Sequence, residues 1–163
     1  MCQGCQNKVV ERAAYRVDHV GSFLRPKELV EAREKFSKGE LSQEELTKVE
    51  DKAITELVEK QIANGLKGVT DGEFRRAYWH LDFFWGLNGV EHVQGEKGYP
   101  FKGIETKPDT AKVSGKISGE NHPFVAHYKF LRDLVADKEG VTVKLTIPSP
   151  SQLYFELIRT EDH

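Results

Sequence analysis

The 163-residue sequence has little cysteine, no long apolar run and no excess of charge of either sign. Each absence removes a class of function. Lys and Arg number 24 against 26 Asp and Glu, a net charge of −2, and no basic stripe with interleaved aromatics stands out, so a nucleic-acid partner is not expected. No apolar stretch approaches the roughly 18 residues that span a bilayer, and the N-terminus lacks the apolar core of a signal peptide. No membrane partner is therefore expected, and the expected location is cytoplasmic. The two cysteines, Cys2 and Cys5, both fall in MCQGCQ. A C-x-x-C is half of a zinc knuckle or a redox pair, but no second cysteine pair supplies the other ligands, and the motif does not follow a strand and open a helix. The pair reads as reduced thiols in a disordered or extended tail, residues 1–14. A nucleophile elbow with its acid and histidine is also missing, and GEKG at 95–98 is not a phosphate loop.

What remains is a chain of about one domain's length, 38% hydrophobic and 31% charged, able to bury a core. Residues Tyr15 to Val20 alternate in character and run into Gly21-Ser22, which predicts a first strand and a turn. Pro26 is placed at helix position N1, with Leu29, Ala32, Arg33 and Phe36 on one face and Gly39 as the stop. Ser42 and Glu45 form a capping box for a second helix. Leu46, Val49, Ala53, Leu57 and Val58, with Ile54 and Ile62 beside them, keep helical spacing to Asn64-Gly65. Lys67 to Thr70 predicts a second strand ending in Asp71-Gly72-Glu73. From Phe74 to Glu120 aromatics and glycines crowd together. A helical turn or two near 74–84, irregular chain and a short hairpin through Lys112 to Ser118 are expected there. A helix from Asn121 to about Val135 is closed by Gly140, VTVKLTI (141–147) is a third strand, and Ser151 to Ile158 is a last helical piece after Pro148-Ser149-Pro150.

Strands alternating with helices predict a parallel sheet with right-handed crossovers, either doubly wound or part of a β/α barrel. In such folds the C-terminal strand ends share one mouth. The groups delivered there are Asp18, His19 and Ser22, then Asp71 and Glu73, then residues 144–149. Ser22, with backbone donors beside Gly21, suits a carboxylate, and Glu73 suits an ammonium. Together they would clamp an amino acid. The plainer readings are that Asp18 or Ser22 caps a helix, that His19 is a structural histidine, and that Asp71 and Glu73 form an ordinary turn. On those readings Glu73 pairs with Arg75 or Arg76 at the surface, and the aromatics of YWHLDFFWGL are core.

DHVGSFLRP, NGLKGVTDGEFRR and WHLDFFWGLNGVE together resemble the start of the catalytic C-terminal domain of cobalamin-independent methionine synthase and of its shorter single-domain relatives. The likeness runs from about Tyr15 to Ile158. It implies an α/β fold that is a partial (β/α)8 TIM-type barrel over residues 15–163, comprising the first three strands with their helices and a long insertion after strand 2. It also implies a transferase of methionine biosynthesis, moving a methyl group from a folate-type donor to the thiol of homocysteine. His19, Gly21, Ser22, Asp71 and Glu73 would bind the homocysteine-like amino acid. Ser149, Tyr154 and Phe155 would line the methyl-donor side. Zinc is implied as the cofactor that activates the thiol, but the ligands the family uses lie on later strands. Neither the Cys2/Cys5 pair nor His80 or His92 matches them, so no metal ligand and no catalytic residue is assigned within this chain. The expectation is a truncated barrel with little or no methyl-transfer activity alone. The alternative is a non-enzymatic α/β module that binds an amino acid or forms a homo-oligomer through an open sheet edge.

Overall fold

The computed structural model describes residues 18–95, 98, 102–103 and 106–159, with the side chains of 158 and 159 excepted. The predicted tail 1–14, Cys2 and Cys5, and residues 15–17 of the predicted first strand lie outside the described residues. Asp18–Val20, the rest of that strand, are irregular.

Helix α1 spans Lys27–Ser37 and α2 spans Gln43–Ala63. Pro26 is the N-cap of α1 and not its first helical residue, a shift of one position that falls within the usual ambiguity of a helix end. The Ser42–Glu45 capping box is present in full. The buried residues of α2 are Leu46, Glu50, Ala53, Ile54, Leu57, Val58 and Gln61, a 3.6-residue stripe. Glu50 and Gln61 take places in it that an apolar pattern would give to Val49 and Ile62, because each polar side chain pins a loop. Glu50 receives Arg33 at 2.9 Å and Arg75 at 3.2 Å.

Strand β1 is only Gly68–Val69 and pairs in parallel with β4, Thr142–Val143, in the register Gly68↔Thr142 and Val69↔Val143. Parallel strands need a long crossover, here the chain from 70 to 141. Helix α4, Pro123–Leu134, belongs to that crossover and ends before Gly140, at Val135. Its N-cap is His122, whose Nδ1 accepts from the Phe124 N–H at 3.1 Å. Leu29, Ile54, Leu57, Val58, Val69, Phe74 and Leu131 join α1, α2, β1 and α4 in one core.

The stretch expected to be largely irregular is ordered over much of its described length. Helix α3 is Leu81–Trp85, and β2, Asn88–Gln94, pairs antiparallel with β3, Asp109–Ser118. The predicted hairpin at Lys112 to Ser118 is thus one arm of a longer one. The register shifts between Asn88 and Val90, where Gly89 faces the extra residues 114–117 of β3; Gly89 has φ 76, and a Cβ on it would stand 2.6 Å from the Lys116 carbonyl, a close approach in a left-handed conformation that favours glycine. Helix α5, Pro150–Arg159, packs on β3. Leu81, Phe84, Val90 and Ala111 form the second core, with Leu153 of α5 against it. The architecture is mixed α/β, and no described helix is long and apolar enough to cross a membrane.

Candidate functional site

The turn after β1 is assembled from α2 outward. Gln61 behaves as a substitute strand: its Nε2 donates to the Thr70 carbonyl at 2.8 Å and its Oε1 accepts from the Thr70 N–H at 3.0 Å. Thr70 Oγ1 accepts from Gly72 N at 3.1 Å, and Asp71 Oδ1 from Glu73 N at 2.9 Å, the local bonding by which Asp favours turns. Gly72 is left-handed, φ 67, and a Cβ on it would overlap the Leu57 side chain. Glu73 is left-handed as well, φ 58. A non-glycine residue takes that conformation at a cost of about 1–2 kcal/mol, and such strain gathers where a side chain must be aimed.

Glu73 is 7% exposed. Its Oε1 accepts from Thr146 Oγ1 at 2.9 Å and lies 3.5 Å from Arg76 Nη1. Its Oε2 has no partner among the described residues. Arg76 is 3% exposed, so the pair read as a surface contact is buried. Arg76 donates to the Thr146 carbonyl at 2.7 Å, to Thr146 Oγ1 at 3.3 Å and to the Trp79 carbonyl at 3.2 Å, with its guanidinium 4.5 Å above the Phe124 ring. Arg75 turns away to Glu50 and Asp51. Arg25 donates to the carbonyls of Glu73, at 3.0 Å, and Arg76, at 2.6 Å.

The first loop meets this turn through Phe23, whose N–H donates to the Gly72 carbonyl at 3.2 Å. His19 stacks on the Phe23 ring at 3.7 Å, and its buried Nε2 has no partner among the described residues. Lys144 donates to Asp18 Oδ1 and to the His19 carbonyl, both at 2.5 Å; its hydrogen bond holds the Asp18 carboxyl below the ordinary value. Gly21 is left-handed, φ 91, and Ser22 is exposed, making no side-chain hydrogen bond among the described residues. The three segments 18–25, 70–76 and 144–146 therefore adjoin, although no direct bond joins the Ser22 and Glu73 side chains.

The Ser149 hydroxyl shares a hydrogen bond with the Ser151 hydroxyl at 2.7 Å, the Ser149 carbonyl accepts from the Gln152 N–H at 3.0 Å, and Tyr154 and Phe155 are each 63% exposed on α5. No bond among the described residues ties these three to the Glu73 cluster. Gln61, Thr146, Arg25 and Arg76 were not singled out as site residues in the sequence. Arg76 had a signal, its spacing of three from Glu73; Thr146 had none beyond its place at the end of a predicted strand.

Histidines and carboxylates of the second core pair with each other. His80 Nε2 lies 3.1 Å from Glu156 Oε1, and Thr110 Oγ1 donates to Glu156 Oε2 at 3.3 Å. His92 Nε2 is 2.7 Å from Asp109 Oδ1, and the Tyr78 hydroxyl donates to Asp109 Oδ2 at 2.7 Å. Burial first, then Asp109, pushes the Tyr78 phenol up to about 12, while the Tyr78 hydrogen bond lowers Asp109. These pairs do not converge: among the described residues no group of three or more His, Cys, Asp or Glu is placed to hold a metal. The described residues thus do not fit a zinc ion.

Polar groups at the ends of parallel strands, with one carboxylate oxygen uncommitted among the described residues, make this turn the candidate site for a small polar ligand. The chain is 44% identical over 152 residues to the uncharacterized protein YxjH of Bacillus subtilis and 43% identical over 145 residues to the uncharacterized YxjG of the same organism. The alignments cover 93% and 89% of this chain, but 40% and 38% of those proteins. The chain therefore spans about two-fifths of the length of the curated relatives it matches. Among solved structures it is similar to a candidate vitamin-B12-independent methionine synthase from Listeria monocytogenes, with TM-score 0.69 and 43% identity over 85% of this chain and 37% of that one. It is also similar to a B12-independent methionine synthase from Shewanella sp. W3-18-1 in complex with selenomethionine, with TM-score 0.53 and 25% identity over 72% of this chain and 33% of that one. No family model matches the sequence. The relationship is methionine-synthase-like at this coarse level.

Proposed function

We propose that this chain carries the amino-acid-binding part of a cobalamin-independent methionine-synthase-like methyltransferase, built on the opening strands of a (β/α)8 barrel. The observation that carries the reading is Glu73: a buried carboxylate at a strand end, on a strained backbone, with Oε1 held and Oε2 uncommitted. The neighbour solved with selenomethionine supports an amino acid of methionine's shape as ligand. Glu73 Oε2 takes the ammonium, a charge-assisted hydrogen bond in a partly desolvated setting. The Gly21-Ser22 turn offers N–H and hydroxyl donors to the carboxylate, His19 Nε2 orients the substrate, and Asp71 holds the Glu73 turn. Ser149, Tyr154 and Phe155 flank the methyl donor, of folate type.

In the proposed reaction the homocysteine sulfur gains a bond to the methyl carbon as the carbon–nitrogen bond of the donor breaks; the donor nitrogen keeps the bonding pair and takes up a proton, balancing the one the thiol loses. No described residue is assigned to zinc.

Calorimetric titration with homocysteine, methionine and selenomethionine tests the reading. Wild type is expected to bind, and Glu73→Gln, which keeps the shape and removes the charge, to bind about tenfold or more weakly. Equal affinities would overturn it. Self-association without amino-acid binding would favour the module that pairs through a sheet edge.

A further inference from the structure

We infer that Thr146 is the positioning residue for the substrate ammonium: by donating to Glu73 Oε1, its hydroxyl fixes which carboxylate oxygen faces the ligand. This rests on the amino-acid-binding reading above and assigns a residue that reading leaves out.

A glutamate carboxylate rotates broadly about its last torsion, so burial alone does not aim it. Arg76 does not aim it either, because Nη1 stands 3.5 Å from Oε1, beyond good hydrogen-bond length. Thr146 Oγ1, at 2.9 Å, makes the one hydrogen bond to Oε1 among the described residues. The direction of that bond follows from its neighbour. Guanidinium has donors and no acceptor, and Arg76 Nη1 approaches Thr146 Oγ1 at 3.3 Å. The single hydroxyl hydrogen is therefore left for Glu73. A directed chain results, Arg76 to Thr146 to Glu73 Oε1, in a buried setting where such chains polarise and strengthen.

The support beneath Thr146 is firm. Its carbonyl is held by Arg76 Nη2 at 2.7 Å, and two residues earlier the Lys144 N–H donates to the Val69 carbonyl at 2.9 Å, continuing the β1–β4 pairing. The β-branched side chain of Thr146 further restricts its own first torsion. Thr146 thus links the end of one parallel strand to the carboxylate delivered by the other, and Oε2 is the oxygen left over.

The test compares methionine with 4-(methylthio)butanoate, which lacks the amino group, on the chain and its variants by calorimetry, with competition for weak binders. Thr146→Val is expected to weaken methionine binding about tenfold and leave the des-amino acid unchanged. Thr146→Ser is expected to stay close to wild type for both. Methionine affinity unchanged in Thr146→Val, or both ligands weakened equally, overturns the inference while leaving the amino-acid site standing. A wild type that binds neither ligand, or both equally, overturns the amino-acid reading itself. Thr146→Ala, which removes the hydroxyl without adding an apolar methyl, reports the same ratio if Thr146→Val does not fold.

Discussion

The core around Val69 and the core around Phe84 are filled by different means. Around Val69, aliphatic side chains from α1, α2 and α4 close over the parallel strand pair, and the buried charges Glu50, Glu73 and Arg76 sit at its edges, each with a partner. Around Phe84 the apolar cluster is small, four buried residues, and beside it lie His80, Glu156 and Thr110 in a buried network with Asp109, Tyr78 and His92 close by. The first region gains its stability from burial, which is nondirectional. The second depends on polar groups that must all stay paired. The two meet where the Phe83 ring packs on Phe124 at 5.4 Å and the His122 Nε2–H donates to the Phe83 carbonyl at 2.8 Å. The His122 tautomer follows from Nδ1 accepting at the α4 N-cap.

The largest expected effects come from emptying each core. Phe74 and Phe84 are 1% and 2% exposed, and truncation of either to alanine is expected to cost about 3–5 kcal/mol in urea unfolding. Phe84 stands edge-on to His80 at 6.2 Å. A cavity there admits water to groups able to bond it, so Phe84→Ala should fall at the lower end and Phe74→Ala at the upper. The reverse order would break the distinction between the two cores.

Gly72→Ala is next, at about 2–4 kcal/mol from left-handed strain and the overlap with Leu57. Gly119→Ala, after the hairpin, meets nothing within 4 Å and is expected to stay within about 0.5 kcal/mol of wild type. Thermal melts of the two variants measure how unequally the regions tolerate one added methyl.

The same difference governs what could be read in advance. The α1–α2 region was legible because its signals are local: the Ser42 box, the stripe from Leu46 to Val58, and Asn64-Gly65 are each readable within one element. The segments that would converge were legible too, since alternation of strands and helices places strand ends together. The bonds inside the site were not. Gln61 with Thr70, Arg25 with Glu73 and Thr146 with Glu73 span 9, 48 and 73 residues, and a pairing at that range leaves no periodic trace. Nor was the hairpin's register, because Asn88–Gln94 and Asp109–Ser118 carry polar residues on both faces and the pairing shifts between Asn88 and Val90. Such strands specify their pairing weakly in sequence. Ser42→Ala, expected to cost about 1 kcal/mol, is the matching prediction for the legible part. A loss well below that in a denaturant titration would mean that packing of α2, not its cap, determines where the helix begins.

A similarly small effect, and the one that separates the regions by pH, is expected at His127 on α4. Burial, followed by the charges of Arg75 and Arg76, pushes its imidazole down from 6.5 to about 4. The unfolded chain therefore binds a proton that the folded chain refuses between pH 6.5 and about 4. Stability from this residue is complete above that window and is lost as pH falls through it. The side chain is only partly buried, so solvent screening holds the loss to roughly 1 kcal/mol or less. Asp109 in the hairpin region has the opposite charge and a lowered value, so its contribution persists until the pH drops below 3.8. Glu50, raised by burial, favours the folded state on acidification and adds nothing to the loss. His127→Phe is thus expected to flatten the fall in urea midpoint between pH 6.5 and 4. Hydrogen exchange over the same range should show α4 amides losing protection before those of β2 and β3. An unchanged slope in the variant would place the acid sensitivity elsewhere and remove this contrast between the regions.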